Sequence, residues 1–147
     1  MKYSLTKHYK YKLEEMETCC TGIRGDGFEN KYMYMHKDGS LWIRKGYAWD
    51  GSSIPHKKLI RVLSLWRYDG DRYCKIASLV HDALCQAMRE GNIPKCEKIE
   101  ADAIYWNLCL AGGLPRWRAN KRFDALRKFG DCGIEPEKNP RNKIFLV

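Results

Sequence analysis

The second half of the chain carries a regular helical pattern of apolar positions. In residues 71–89 these positions recur at spacings of three and four, Asp71 suits a helix N-terminus, and Gly91 with Pro94 ends the run. We therefore predict a helix here. Its buried stripe comprises Tyr73, Ile76, Ala77, Val80, Leu84, Ala87 and Met88.

Two further helices follow the same pattern, over residues 95–110 and 115–130. The second of these has proline in its first turn and glycine at its end, which is the usual asymmetry of helix termini. The stripe predicted for the first comprises Ile99, Ala103, Trp106 and Leu110. Trp106, Trp117 and Phe123 keep helical spacing, so they are assigned to the core rather than to a base-stacking platform.

The first half of the chain has the shorter periods of strands and loops. Residues 3–17 alternate apolar and charged side chains, which predicts an edge or hairpin strand, and the glycines of residues 19–30 predict a loop. Residues 32–36 and 41–44 predict a hairpin, because Asp38-Gly39 between them supplies the positive φ that such a turn requires.

Strands followed by helices predict an α+β fold, in which a small antiparallel sheet packs on a three-helix bundle. The 147 residues fit one domain. We divide it into a mainly β part (1–46), a motif loop (46–55), a helical bundle (71–130) and a tail (131–147). Residues 55–71 suit a short helix or a buried irregular segment, and residues 144–147 suit a last strand or docking segment.

The composition of the chain bears on where the protein works and on which kinds of site it can contain. No window approaches the ~18 apolar residues of a membrane span, and no signal-peptide core opens the chain. Seven cysteines without a Cys-x-x-Cys pair argue against a structural zinc site and favour a reduced compartment. We expect a soluble protein that carries no export signal.

The formal net charge of +9 points to an anionic partner or to a solvated basic surface. The basic residues concentrate in two places. One comprises Lys57, Lys58, Arg61 and Arg67, and the other extends from Arg116 to Lys143. No signature of a known nucleic-acid fold accompanies them, and the solvated surface is the simpler interpretation.

Candidate chemistry centres on His81 and Asp102. His81 lies at the border of the apolar stripe of the first predicted helix, and Asp102 points to the packed side of the second, whereas Glu100 does not. A short connection makes the two helices antiparallel, so the two side chains reach nearly the same level. A carboxylate on a neighbouring helix fixes the tautomer of a histidine and raises its basicity.

Carboxylates near this pair suggest a hard divalent cation, calcium or manganese. Asp82 follows His81 directly, and Asp50 opens a loop that also contributes Gly51, Ser52, Ser53 and Pro55. With His81 and Asp102 as catalytic residues and Asp82 and Asp50 as metal ligands, the chain would be a metal-assisted hydrolase.

A purely structural interpretation is equally economical. The loop that begins at Asp50 would satisfy its own backbone amides through its aspartate and serines. His81 and Asp102 would then be an interhelical hydrogen-bonded pair that sets the register of the bundle. Both interpretations stay open at the level of sequence.

Four motifs over about residues 40–130 resemble a small domain-of-unknown-function family of tailed phages and prophages. They are GYAWDGSSIP at 46–55, ASLVHDAL at 77–84, EAD at 100–102 and LPRWRA at 114–119. The resemblance implies a phage or prophage origin without an established activity. One departure is Cys85, which stands where that family usually has a tyrosine.

The adjacent His-Asp pair with a later aspartate is also similar to phospholipases of the A2 type. That likeness implies His81 as base, Asp82 as calcium ligand and Asp102 as the partner of the histidine. The glycine-rich calcium loop of those enzymes is missing, so the likeness is an analogy.

Two hypotheses about function result. The first is a phage or prophage accessory protein, associated with the virion or bound to a host factor, in the host cytoplasm or the virion. Its partners would be other phage proteins, a host factor or an anionic molecule that meets the basic surface and the aromatic hairpin. The alternative is the metal-assisted hydrolase, an esterase or phospholipase-like enzyme with a divalent cation.

Overall fold

The computed structural model describes residues 1–51 and 71–129. Ser52, Ser53 and Pro55 of the motif loop, the segment predicted over 55–71 and the strand predicted over 144–147 lie outside the described residues. The described part contains two small antiparallel sheets and three α-helices, which confirms the α+β class. None of the described helices is long and apolar enough to cross a membrane.

The first sheet joins the N-terminus to the start of the motif loop. Its strands are β1 (Tyr3–Leu5), β2 (Tyr11–Leu13) and β7 (Ala48–Trp49), in the order β1-β2-β7. The edge or hairpin strand predicted over residues 3–17 is confirmed in kind, since β1 is an edge strand paired antiparallel with β2, but the range holds two short strands rather than one. The motif loop is predicted to lack regular secondary structure. Near its start, however, it contains the strand β7, whose Trp49 pairs with Tyr11.

The second sheet contains the predicted hairpin. Its order is β3-β6-β5-β4, and the hairpin of β5 with β6 is confirmed, with Met35 opposite Leu41. The loop predicted over 19–30 is partly wrong, because both of its ends enter strands. The strands are β3 (Glu17–Cys20), β4 (Phe28–Glu29), β5 (Met33–Met35) and β6 (Ser40–Ile43).

The helices match their predicted ranges closely. They are α1 (Asp71–Arg89), a 3₁₀ turn (Lys95–Glu97) leading into α2 (Lys98–Ala111), and α3 (Arg116–Phe129). The stripe predicted for α1 is buried or half-buried except for Ile76, which is 41% exposed.

The buried face predicted for α2 is wrong by about a third of a turn. Ile99 is 57% exposed, and the predicted stripe is otherwise only half-buried. The reason is that α2 lies between α1 and α3 and buries a broad face that includes polar side chains. That face comprises Lys98, Ala101, Asp102, Ile104, Tyr105 and Cys109.

α1 is the element on which both sheets pack. The main core joins inward side chains of the two sheets, such as Leu13 and Ile43, to Leu79 and Leu84 of α1. The Trp49 indole donates a hydrogen bond to Ser78 Oγ at 3.2 Å, which ties β7 to the helix.

A second core cluster lies between α1, α2 and α3. It contains the Cys74 and Cys109 thiols, which are fully buried and 3.0 Å apart. At the same end, a side chain at Gly112 would place its Cβ 2.1 Å from the carbonyl oxygen of Tyr73. The backbones of α2 and α1 therefore approach as closely here as glycine allows.

The hairpin turn gives a first testable prediction. Gly39 has φ +89°, and a Cβ at this position would lie 2.9 Å from backbone atoms of Gly22. We expect Gly39→Ala to lower the free energy of unfolding by about 1–3 kcal/mol, measured by urea denaturation. Gly25→Ala is the matched control, since nothing lies within 4 Å of its Cβ. Equal effects of the two substitutions would contradict this account of the turn.

Candidate functional site

Asp102 lies at the centre of a buried cluster of charged side chains. Its carboxylate is fully buried on α2 and accepts a hydrogen bond at Oδ1 from His81 Nε2, at 2.7 Å. Lys98 Nζ also donates to Oδ1, and Arg127 Nη1 donates to Oδ2 at 3.3 Å. The sequence predicted that His81 and Asp102 come together, and the structure brings them together.

Three helices supply the four side chains of the cluster. His81 faces inward from α1, Lys98 stands one turn before Asp102 on α2, and Arg127 reaches over from α3. The antiparallel course of α1 and α2 sets His81 level with Asp102, as the short connection predicts. Three helices therefore meet at one carboxylate.

The balance of charge keeps Asp102 ionised. Burial alone would raise the pKa of this carboxyl, because water is excluded from the charged form. Hydrogen bonds from His81 and Lys98, together with their positive charges, outweigh burial and lower the pKa below its usual range. A buried carboxylate with three cationic donors is a stable ion cluster.

The same environment keeps His81 charged. Burial would lower its pKa, but negative charge on the neighbouring Cys85 sulfur and the hydrogen bond to Asp102 raise it to about 10. The raised pKa favours the imidazolium form of His81. A general base needs an unprotonated nitrogen near the operating pH, so this shift counts against His81 in that role.

Cys85 contacts His81 from the next turn of α1 but is not aligned with it. Its sulfur lies 3.7 Å from Nδ1 and 3.9 Å from Nε2. A sulfur on the in-plane lone-pair axis of Nδ1 would be markedly farther from Nε2, so the thiol lies against the ring instead. The Tyr105 ring meets the imidazole edge-on at 5.5 Å. His81 is packed, with 8% exposed, and Cys85 has only 4% exposed.

The predicted metal ligands do not join this cluster. Asp50 Oδ1 accepts a hydrogen bond from the backbone nitrogen of Lys10 at 3.1 Å, and Asp82 is half-buried on α1. Gly51 is buried, and Glu100 is exposed in the first turn of α2, as expected. Within residues 1–51 and 71–129, no group of three or more histidine, cysteine or acidic side chains could hold a metal ion. The predicted calcium or manganese site would also draw on the loop at Ser52 and Ser53, outside these residues, so it stays a prediction.

Two members of the cluster, Lys98 and Arg127, are not among the predicted site residues. Lys98 precedes Asp102 by four residues, the spacing of an ion pair along a helix, and that spacing could have indicated it. Arg127 belongs to the third helix, and no local pattern connects it to Asp102.

A second notable surface lies on the outer side of α3. This helix carries six basic residues and one acidic residue. Two of the six face inward, since Arg122 donates to Tyr105 Oη at 3.2 Å and Arg127 reaches Asp102. The remaining four form what we call the cationic face of α3. They are Arg116, Arg118, Lys121 and Lys128.

Trp117 lies in the middle of this face, and its assignment to the core is wrong. Its side chain is 56% exposed, because helix positions 119 and 126 take the inward side of α3 instead. Arg118 and Lys121 stand over the indole, 4.7 and 5.3 Å from the ring centroid. The other two aromatic assignments fare better, since Trp106 and Phe123 are half-buried.

The buried cluster predicts a large cost for removing its centre. Asp102→Ala would leave the buried charges of His81 and Lys98 unpaired, so we expect a loss of about 3–5 kcal/mol in the free energy of unfolding. Glu100→Ala, two residues earlier on the same helix and exposed, should change it by less than about 0.5 kcal/mol. Chemical denaturation measures both, and comparable losses would argue against the cluster.

The raised pKa of His81 predicts a pH dependence of stability. A histidine with a pKa raised on folding from 6.5 to about 10 stabilises the fold fully below pH 6.5 and loses this contribution up to about pH 10. In urea unfolding across this range, the free energy of unfolding of the wild type should fall more steeply than that of His81→Gln. The difference in slope should approach about 1.4 kcal/mol per pH unit. Parallel curves would show that His81 is neutral.

Comparison with known proteins places this architecture in a family. A family model described as a protein of unknown function (DUF1353) matches residues 28–126. No curated protein and no solved structure matches the chain. The matched range includes His81, Asp102 and Trp117, and the resemblance to a domain of unknown function is thereby confirmed, while its phage origin stays a prediction. The chain belongs to the DUF1353 family.

Proposed function

We propose that this chain is a binding protein whose partner is a polyanion held by the cationic face of α3. The observation that carries the proposal is that α3 holds four basic side chains besides the two inward ones. Lys121 and Lys128 lie on the side of the exposed Trp117, and Arg116 and Arg118 flank it on either side. The net charge of +9 adds long-range attraction for such a partner.

The inner side of α3 supports the same proposal. Arg127 and Arg122 are engaged with Asp102 and Tyr105, so the helix is held in place by its inward charges. A rigid helix presents its outer cations at fixed positions, which lowers the ordering cost of binding. Arg116 and Lys121 project from the exposed half of the same helix.

We further propose that the protein serves as an accessory protein of a tailed phage or prophage, associated with the virion or bound to a host factor. The support is the set of sequence motifs at residues 46–55, 77–84, 100–102 and 114–119. Polyanions occur in both settings, as packaged nucleic acid in the virion and as nucleic acids or acidic proteins in the host cytoplasm.

The alternative function is an esterase or phospholipase-like hydrolase. The contact between His81 and Asp102 favours it, since a carboxylate held at Nε2 fixes the orientation of the ring and leaves Nδ1 as the candidate base. The raised pKa of His81 and its burial count against it, because the imidazole is protonated and enclosed at neutral pH. Parallel curves for the wild type and His81→Gln in the unfolding experiment above would show an unprotonated His81 and restore the alternative.

The binding proposal predicts a charge-dependent affinity for heparin, a polyanion without bases. Removing two outer cations in the double variant Arg116→Gln/Lys121→Gln should weaken binding about tenfold at low salt and flatten the dependence of log K on log salt. Asp124→Asn removes the one acidic side chain of α3 and should strengthen binding. Calorimetry at several salt concentrations measures both effects.

Lys37→Gln/Lys45→Gln is the matched control, because it also removes two exposed cations, both from the strand half of the chain. It should leave heparin affinity nearly unchanged. Equal weakening by this control and by the α3 variant would mean that binding follows net charge alone. Absence of heparin binding at low salt would overturn the proposed function.

A further inference from the structure

Trp117 is the most exposed tryptophan that the structure describes. Trp49 is buried, Trp42 and Trp106 are half-buried, and Trp117 is 56% exposed. Cations alone would suffice to hold a partner that carries only charge. A partner with a flat apolar group as well as negative charge would also use the indole.

The cations around Trp117 fit such a partner. Arg118 and Lys121 lie against the indole, where the electron-rich faces of the ring attract positive charge. A base that stacks on the indole would replace Arg118 or Lys121 on part of the ring face. These two cations would then pair with the phosphates on either side of the base. Aromatic stacking beside a basic track is the usual design of surfaces for unpaired nucleotides.

An open groove lies between α2 and α3. Its volume is about 450 Å³, and it is lined by Ala103, Trp106, Asn120, Phe123 and Asp124. Asn120 and Asp124 follow Trp117 at spacings of three and seven, so Trp117 stands at the rim of this groove. Trp106 lies inside the groove, and Arg116 stands over its ring at 5.4 Å.

Two indoles, each with an arginine against it, therefore lie at the same end of α3. Asn120 fixes the inner one, since its Oδ1 accepts a hydrogen bond of 2.8 Å from Trp106 Nε1. Successive bases of one strand could stack on two such rings, whereas the bases of a duplex are stacked on each other and show only their edges. An acidic peptide offers a flat ring only where an aromatic residue interrupts its acidic side chains, whereas every nucleotide of a single strand has both a base and a phosphate.

We infer that the N-terminal half of α3 binds a single-stranded nucleic acid, with one base stacked on Trp117 and its phosphates paired with Arg116, Arg118 and Lys121. This inference rests on the proposed function, because it names the class of polyanion that the cationic face accepts. It adds a requirement for bases, which charge alone does not impose.

The test compares a labelled thymidine oligonucleotide of about 12 residues with heparin and with a duplex of equal length. Fluorescence anisotropy gives each affinity for the wild type, Trp117→Leu and Trp117→Phe. We expect Trp117→Leu to weaken binding of the oligonucleotide about tenfold, Trp117→Phe to retain most of the affinity, and neither to change binding of heparin. The wild type should prefer the single strand to the duplex.

Ile99→Ala is the matched control, since Ile99 is equally exposed, at 57%, and has no aromatic ring. Thermal unfolding shows whether each variant keeps the stability of the wild type. Unchanged affinity of Trp117→Leu for the oligonucleotide, or an equal loss for heparin, would overturn base stacking while leaving the polyanion surface intact. If the wild type binds neither heparin nor the oligonucleotide, both proposals are overturned.

Discussion

The helical half of this protein depends on the pairing of one buried carboxylate. Asp102 is excluded from water, and burying an isolated charge of this kind costs several kcal/mol. His81, Lys98 and Arg127 offset that cost, and each comes to the carboxylate with a direction fixed by its hydrogen bond. Apolar contacts depend less on direction than hydrogen bonds do. The cluster therefore sets how α1, α2 and α3 align, which packing alone would leave less defined.

Much of this fold could be predicted from local patterns, and the failures have physical causes. The three helices and the hairpin follow from periodicity, from Asp38-Gly39 and from glycine and proline at helix ends. The short strands β4 and β7 span two residues each, too few to establish an alternation. In addition, β7 is held by β2, a partner distant in the chain that no local pattern reveals.

The candidate site was also predicted in part. The facing of His81 and Asp102 follows from two helical stripes and a short connection, both of which are local. The predicted stripe of α2 puts Ile99 on the same buried face as Asp102, yet Ile99 is exposed. The burial of Asp102 is therefore predicted correctly from a stripe that is partly wrong. Arg127 comes from a third helix, and Trp117 faces out because Ala119 and Leu126 fill the inner side of α3. Such choices are made by tertiary packing, which a stripe of apolar positions does not reveal.

The close approach at Gly112 has a mechanical consequence for the bundle. Where the backbones of α1 and α2 touch, no side chain remains that could shrink or rotate to let the helices slide together. Gly112 is therefore a fixed point of contact, and the two helices can tilt apart only about it. A bulkier residue elsewhere along the pair, at Ala101 for example, is accommodated by splaying the distant ends of the helices about this pivot. Strain introduced in the helical half therefore opens it at the end where α1 passes into α2, while the corner leading to α3 stays closed.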